Sequence, residues 1–415
     1  MSSPTQVDLM KAQDIIQTTT SISSQVIIFT FLVAAFFPLS SLFLYQKYKL
    51  FPCYSSLEYI LQVSGDPFPI IRTFFNLSTY KPTHFSKGLF QNEVNSIAPT
   101  NSASLNVKYI PGKPEPDPPF LQITSQDFLR GPKIRYWWLG HASCLFQLGE
   151  TYIITDPIGF SQSFYPNLMN FSFPYNISDF PTISYCIISH SDEDHFDPPS
   201  IMILHEYFPK MIVIGGLNIS SLISSFGFPK HLAYDFDWRQ SAFLPPLSQS
   251  THKSDMIKLT CMPAQHSMNK YLWVSYLLEY QNIFIYFPGD TTIGPQFEEV
   301  ANLVGHPIDL VTIPAGPWGM RTIHLDPVDA KKMFDVLKAK KATPIHIRTF
   351  KIYRLVFKKD NAPERLDDEA IYDEFKKAGQ ENSLINLKLG GSLEYNFETK
   401  EFEASPNSSY SISFI

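Results

Sequence analysis

The sequence predicts an α/β sandwich, with β-sheets inside and helices outside, over residues 131–400. Strand-like apolar runs alternate with helix-like stretches from Lys133 onward, and this interleaving is typical of layered α/β folds. In addition, several of the apolar runs end in a histidine or an aspartate. With 44% hydrophobic and 15% aromatic residues, the chain can bury a substantial core. Residues 401–415 are predicted to be a C-terminal tail.

The apolar runs and turn residues predict individual strands and helices. Gly149 and Glu150 are expected to form the turn of a strand meander. The predicted strands are Ile134–Leu139, Cys144–Leu148, Tyr152–Thr155, Ser184–Ser189, Met211–Ile214, Met256–Met262, Leu272–Leu278, Ile283–Phe287, Leu310–Ile313 and Leu393–Phe397. The predicted helices are Pro199–Tyr207, Ile219–Phe226 and Pro327–Ala339.

Charge and cysteine content exclude some classes of function. The chain has 33 Lys+Arg against 39 Asp+Glu, a formal net charge of -6, and no basic tract, so nucleic acid is not expected as a partner. Its four cysteines lack CxxC spacing. Cys144, Cys186 and Cys261 lie in strand-like runs, as buried thiols do, which favours a reducing compartment.

An apolar segment near the N-terminus predicts a membrane anchor. Residues 15–46 contain no charged side chain, and Val26–Tyr45 has the length of about 20 residues that a membrane-spanning helix needs. Pro38 would kink this helix. A buried core helix is the alternative, whereas a cleaved signal peptide fits less well because the preceding polar tail, residues 1–25, carries acidic residues.

The flanking charges predict how the anchor is oriented. Lys47 and Lys49 follow the apolar segment, so the main domain is expected on the cytosolic side, or in the matrix if the membrane is the mitochondrial inner membrane. Residues 46–130 are rich in Pro, Ser, Thr and Asn and include the polyproline-like stretch Pro111–Phe120. They are predicted to form an extended neck that wraps the domain.

The segment YCIISHSDEDHFDPPSI contains the densest group of chemically active side chains. A strand-like run ends at Ser189, and His190, Asp192, Asp194 and His195 follow at once before a predicted helix. Imidazole and carboxylate groups on one turn at a strand end suit Zn, Fe or Mn. The alternative is an acidic, solvated helix entry, because aspartates are favourable near a helix N-terminus.

Three later segments favour the metal-site interpretation. MPAQH ends an apolar run with His266, IYFPGDT ends another with Asp290, and ATPIHIRTF ends a third with His346. Gly289 would allow close backbone approach. Each residue alone is typical of a core or loop position, but their shared place at strand ends predicts a common site.

These motifs resemble the metallo-β-lactamase superfamily, which implies an αββα sandwich. More narrowly, they resemble the N-acyl-phosphatidylethanolamine-hydrolysing phospholipase D family, from about Arg135 to about Gly391. HLDP and IHxxTF are more specific to that family than the general fold signature. The segments that carry the resemblance are WLGHASCLFQLGETYIITDP, SHSDEDHFD, GGL, FDW, PAQH, PGDT, IPAGPWGM, HLDPVDA and IHIRTF.

The resemblance implies a site for two metal ions and a role for each residue. His141 and Asp156 would orient the ligands through hydrogen bonds, and His324 would contact substrate. The alternative for His141 and His324 is a structural role as hydrogen-bonded histidines. Asp194, Asp290 and His324 are the implied catalytic residues. The implied ligands are His190, Asp192 and His266 for the first ion, Asp194, His195 and His346 for the second, and Asp290 bridging both.

One ligand position departs from the family pattern HxHxDH, because Asp192 stands where the pattern has a histidine. A carboxylate would make the site richer in oxygen and shift its preference towards Mn or Fe. Two other interpretations stay open: Asp192 does not reach the first ion, or catalysis has been lost.

The resemblance implies a membrane-anchored, metal-dependent hydrolase that cleaves a phosphodiester bond of an N-acylated phospholipid. The expected cofactors are two divalent ions, Zn first with Mn or Fe as alternatives, which share a hydroxide. The expected partners are a membrane phospholipid and the lipid bilayer. The aromatic stretch 159–181 would line an acyl groove or rest on the bilayer surface, and an ordinary loop packed on the domain is the alternative.

Two other functions remain open at this point. One is a lactone or thioester hydrolase on the same fold. The other is a weakened or inactive accessory subunit of a membrane complex, for which Asp192 and the anchor offer support. A homodimer or a larger membrane complex is not decided by the sequence.

Overall fold

The structure is a computed structural model that describes residues 84–92, 119–129, 134–161, 175–246, 255–267, 269–317, 320–350 and 366–412. The predicted tail 1–25, the predicted anchor Val26–Tyr45 and most of the predicted neck lie outside these residues. Within the described ranges, no helix combines the length and the apolar character needed to cross a membrane.

The described residues alternate between strands and helices. The strands are β1 (Phe85–Ser86), β2 (Leu89–Phe90), β3 (Ile134–Gly140), β4 (Ser143–Leu148), β5 (Thr151–Thr155), β6 (Tyr185–Ile188), β7 (Ile212–Gly216), β8 (Ala233–Phe236), β9 (Ser241–Leu244), β10 (Ile257–Pro263), β11 (Val274–Tyr280), β12 (Ile283–Phe287), β13 (Leu310–Pro314), β14 (Lys341–Ile345), β15 (Ser392–Asn396) and β16 (Glu401–Ala404). The α-helices are α1 (Gln126–Leu129), α2 (Pro198–Tyr207), α3 (Ile219–Ser225), α4 (Gln296–Val304), α5 (Pro327–Leu337) and α6 (Asp367–Lys377).

Two large sheets form the centre of the fold. The eight-stranded sheet has the order β16-β15-β3-β4-β5-β6-β7-β8, and the six-stranded sheet has the order β14-β13-β12-β11-β10-β9. Pairing is parallel from β5 through β8 and from β12 through β14. Helices α2 and α3 connect the strands from β6 to β8, and α4 and α5 connect those from β12 to β14. The remaining pairs within these sheets are antiparallel.

The two sheets pack face to face. The Tyr276 hydroxyl on β11 donates a hydrogen bond of 2.8 Å to the carbonyl oxygen of Ile188 on β6, and this bond joins one sheet to the other. Every residue of β3 and of β13 is buried, as expected for strands covered on both faces. Helix α3 packs on β7 and β8, while α4 and α5 pack on the other sheet. The predicted α/β sandwich is therefore confirmed.

Several elements differ from the prediction. Strands β8 and β9 were not predicted, because each has only four residues, too few to show a clear period. Helices α4 and α6 were also missed, and α6 has mainly charged residues on its outer face. Strand β16 lies within the predicted tail 401–415, so the sheet extends beyond residue 400; its sequence EFEA alternates polar and apolar residues, as an edge strand does.

The functional consequence of the fold is that many strands end at the same place. Strands β3, β5 and β6 from one sheet, and β10, β12 and β14 from the other, each end one to three residues before a predicted site residue. Facing sheets bring these strand ends together, so residues far apart in sequence share one edge of the sandwich.

We predict that Tyr276→Phe destabilises the domain by about 1–2 kcal/mol, because it removes the bond between the sheets and leaves the buried Ile188 carbonyl without that donor. Urea unfolding followed by circular dichroism measures the change. Tyr207→Phe is the matched control, since Tyr207 is 54% exposed. Equal stability of the two variants would contradict this role for Tyr276.

Candidate metal centre

The first group of side chains, called site A here, consists of His190, Asp192 and His266. The Asp192 Oδ2 atom lies 3.1 Å from His266 Nε2 and 3.6 Å from His190 Nε2. Both histidines are buried, whereas the Asp192 side chain is 41% exposed. Site A therefore opens to solvent at its carboxylate.

The second group, called site B here, consists of Asp194, His195 and His346. The Asp194 Oδ2 atom lies 3.9 Å from His195 Nε2 and 3.7 Å from His346 Nε2. The Asp194 side chain is 33% exposed, and both histidines are buried. Site B thus opens on its carboxylate side, as site A does.

Asp290 lies between the two groups. Its Oδ2 atom is 3.3 Å from His195 Nε2, 3.2 Å from His346 Nε2 and 4.0 Å from His190 Nε2. The carboxylate is buried and is the point at which sites A and B meet. The structure thus brings together all seven predicted ligands in the arrangement that the resemblance implies, although their ligand roles stay predictions.

Several of the predicted ligand atoms are buried without a hydrogen bond, at separations close to those of atoms that share a metal ion. Nε2 of His190, His195 and His346 and Oδ1 of Asp290 are buried and form no hydrogen bond within the described part of the chain. Tetrahedral zinc, with bonds of 2.0–2.2 Å, would place its ligand atoms about 3.3 Å apart. The observed separations of 3.2–4.0 Å around Asp290 are close to this value.

Hydrogen bonds behind the site aim the imidazole rings. Asp156, fully buried, accepts from the Ser189 amide at 2.7 Å and lies 2.9 Å from His195 Nδ1. The Ser189 hydroxyl lies 2.9 Å from His190 Nδ1, and the Ile323 carbonyl lies 2.9 Å from His266 Nδ1. In the neutral rings that bind metal, a carbonyl or carboxylate partner holds the proton at Nδ1 and leaves Nε2 of His195 and His266 facing the site with its lone pair.

Unusual backbone conformations also place the site residues. His141, Asp156 and His346 adopt the left-handed region, with φ of 49°, 37° and 60°, which is uncommon for residues with a Cβ atom and is concentrated at functional sites. Gly289 has φ of 58°, and a Cβ atom there would lie 2.5 Å from Ser189 Cβ. The predicted close approach at Gly289 is therefore confirmed.

His141 supports site B from the side. Its Nε2 atom lies 3.0 Å from Asp194 Oδ2, and its carbonyl accepts a 3.0 Å hydrogen bond from the His346 amide. Burial and the nearby His346 lower the pKa of His141 to about 3, outweighing Asp194. A neutral ring that donates to Asp194 agrees with the predicted orienting role.

His324, the predicted substrate contact, lies over the junction of the two sites. Its Nδ1 atom is 3.2 Å from Asp290 Oδ2, and its ring centre is 5.3 Å from that of His266 and 5.2 Å from that of His346. The side chain is 11% exposed. It is thus able to touch both the buried carboxylate and a molecule that enters the site.

Without bound metal ions, the aspartates raise the pKa of three ligand histidines, His195, His266 and His346, and histidines lower the pKa of Asp194 and Asp290. Burial lowers the pKa of His346, but the carboxylates of Asp290 and Asp194 have the larger effect and raise it to about 9. Burial is likewise outweighed at His195 and His266, whose pKa values are raised by neighbouring carboxylates. At Asp194 and Asp290 burial raises the pKa, but the histidines lower it well below its usual value.

The sequence did not identify Asn92, which lies in the predicted neck. Its side-chain amide donates to the His266 carbonyl at 3.0 Å, and its side-chain oxygen accepts from the His266 amide at 3.3 Å. The same segment is held by Phe90, whose amide donates to the Asn269 carbonyl at 2.8 Å, and by His84, whose ring stacks on Trp238 at 4.2 Å. No local pattern marks Asn92, since its role depends on a partner 174 residues away.

The fold and the converging ligands define the class of protein: a metal-dependent hydrolase of the metallo-β-lactamase fold. Residues 151–347, just under half of the chain, match the sequence model of the family described as "Beta-lactamase superfamily domain". The resemblance deduced from the motifs is confirmed.

Two relatives carry the name of the narrower family. The chain is 25% identical over 251 residues to "N-acyl-phosphatidylethanolamine-hydrolyzing phospholipase D 1" of Caenorhabditis elegans, covering 56% of this chain and 68% of that protein. It is 25% identical over 235 residues to the mitochondrial "N-acyl-phosphatidylethanolamine-hydrolyzing phospholipase D" of Saccharomyces cerevisiae, covering 51% of this chain and 47% of the relative. The match thus spans about half the length of the yeast protein.

A solved structure is also similar in part. The metallo hydrolase Igni18 of Ignicoccus hospitalis covers 64% of this chain and 99% of its own, with 15% sequence identity and a TM-score of 0.48.

We predict that Asn92→Ala weakens metal binding at site A by about tenfold, because the backbone of His266 loses the two hydrogen bonds that fix it. Competition with a chelator measures the affinity, and Gln91→Ala is the matched control. A thermal unfolding midpoint of the metal-free variant within a degree or two of wild type would separate this effect from misfolding. Unchanged affinity for both ions would show that Asn92 does not position His266.

Metal binding is expected to release protons at pH 7.5, because His346, with its pKa raised to about 9, must lose its proton to bind an ion. In the metal-free chain the raised pKa of His346 stabilises the fold fully below pH 6.5, and this stabilisation is lost as the pH rises through about 9. Calorimetric titration in buffers of different ionisation enthalpy counts the protons. Heats that do not depend on the buffer would contradict the expectation.

Proposed function

We propose that this chain hydrolyses a phosphodiester bond of an N-acylated phospholipid at a membrane surface. The observation that carries the proposal is the pair of ligand groups that share one buried carboxylate, Asp290. A paired-cation site suits displacement at phosphorus, where both the entering and the leaving oxygen carry negative charge. The names of the two relatives support the lipid substrate.

The residues around the junction fit the two divalent cations that the class implies. Site A and Asp290 would hold one ion, and site B and Asp290 the other. When bound, the ions supply Lewis acidity to the phosphoryl oxygens and make a water molecule more acidic. The partly exposed side chains of Asp192 and Asp194 mark the side from which substrate enters.

The chain's own residues then orient the reactants and move the protons. In the reaction, the water oxygen bonds to phosphorus, the bond from phosphorus to the leaving oxygen breaks, and that oxygen gains a proton. His324 is placed to deliver this proton, because its ring reaches Asp290 and is partly exposed. Asp194, held by His141, is placed to accept a proton from the water.

The membrane part of the proposal rests on the sequence. Val26–Tyr45 has the length and composition of an anchor, and the domain would then lie on the cytosolic or matrix side. Of the aromatic stretch 159–181, the described flanks pack inwards: Phe160 and Phe180 are buried with their ring centres 5.9 Å apart.

The proposal predicts selective hydrolysis by the full chain in mixed vesicles that contain an N-acylated phosphatidylethanolamine. With divalent metal supplied, His324→Gln should lower kcat by about 100-fold or more, the usual range for a lost proton donor. His231→Gln, at an exposed position, is the matched control and should retain activity. Mass spectrometry of the lipid products follows the reaction.

Parallel assays with a lactone and a thioester test the other hydrolases. Hydrolysis of either in place of the phospholipid would refute the proposed substrate. A metal-loaded chain that hydrolyses none of the three would refute the catalytic proposal and favour an accessory subunit.

A further inference from the structure

Sites A and B offer the same kinds of donor atom. Each contains two buried imidazoles and one partly exposed carboxylate, and the buried Asp290 is shared by both. A histidine in place of Asp192 would have made site A richer in nitrogen than site B. With Asp192 the two halves of the centre match.

The carboxylate of Asp192 lies beside the two imidazoles of site A. Its carbonyl accepts hydrogen bonds from the amides of His195 at 2.9 Å and Phe196 at 2.8 Å, so the turn fixes the backbone of Asp192. From there its carboxylate lies within 3.1–3.6 Å of the Nε2 atoms of His266 and His190. The carboxylate is therefore within range of an ion that those nitrogens would bind.

The donor set bears directly on the choice of metal. Two imidazoles and one carboxylate with open positions occur in both Fe²⁺ and catalytic Zn²⁺ sites, whereas three imidazoles are a frequent Zn²⁺ arrangement. Replacing an imidazole by a carboxylate makes the ligand set richer in oxygen, which favours Mn²⁺ and Fe²⁺ relative to the three-imidazole set. The 41% exposure of the Asp192 side chain leaves room for water at site A. The centre also has three carboxylates, those of Asp192, Asp194 and Asp290, and therefore carries more negative charge than a centre with a histidine at position 192.

We infer that Asp192 shifts the metal preference of site A towards Mn²⁺ or Fe²⁺, and away from Zn²⁺, relative to a histidine at that position. This inference rests on the proposed metal centre, but it does not depend on the substrate. The selectivity is a property of the donor atoms and is measurable without any catalytic assay.

The test is a metal competition on the full-length chain in detergent, after its metal has been removed. One sample is equilibrated with equal concentrations of Mn²⁺ and Zn²⁺, and another with equal concentrations of Fe²⁺ and Zn²⁺, both without oxygen. Elemental mass spectrometry gives the bound ratio. We expect Asp192→His to lower the ratio of Mn²⁺ or Fe²⁺ to Zn²⁺ by about tenfold at the altered site. Glu193→His, which adds an imidazole at the exposed neighbouring position, should leave the ratio unchanged.

A second readout is the electron paramagnetic resonance spectrum of the Mn²⁺-loaded chain. Wild type should show the signal of a coupled Mn²⁺ pair, and Asp192→Ala should lose it while site B retains its ion. An unchanged metal ratio in Asp192→His, or a coupled pair in Asp192→Ala, would overturn the inference. Coupled Mn²⁺ in a chain without lipid hydrolysis would support it and refute the proposed substrate, so the two failures are distinguishable.

Discussion

The structure depends on an electrostatic constraint at the junction of the two sheets. Four imidazoles and a carboxylate lie buried around one point, namely His190, His195, His266, His346 and Asp290. Buried polar groups without partners destabilise a fold, and buried charges do so more strongly. In the metal-free chain the pKa values of His195, His266 and His346 are raised by the neighbouring aspartates, with which these rings pair. Divalent cations would replace protons on these rings, because ions at this point satisfy the nitrogen and oxygen lone pairs together.

The surrounding fold keeps these groups in place. Asp156 holds the Ser189 backbone and the His195 ring, and Ser189 in turn contacts His190. Gly289 lets the segment bearing Asp290 pass against Ser189. Adjacent strand ends are thereby locked to one another, so the positions of the ligand atoms are set before any ion binds. Such preorganisation is what a site needs if it is to stabilise a transition state.

Much of this arrangement could be predicted from the sequence, and the rest could not for physical reasons. Ile283–Phe287 was predicted with the bounds of β12, since a strand buried on both faces appears as a continuous apolar run. The ligands at strand ends were found because each closes such a run. Strand β16 is a short edge strand, and its sequence resembles a polar tail. Asn92 acts through a contact that only the folded chain creates.

The proposed function requires two divalent ions to bind where Asp290 joins the two groups of ligands. Elemental mass spectrometry of wild type and of Asp290→Ala measures the metal content per chain and so tests this binding. We expect about two ions per wild-type chain and a clear loss in the variant, because Asp290 lies at both sites. A folded wild-type chain that binds no metal when metal is supplied, or a variant that retains both ions, would contradict it.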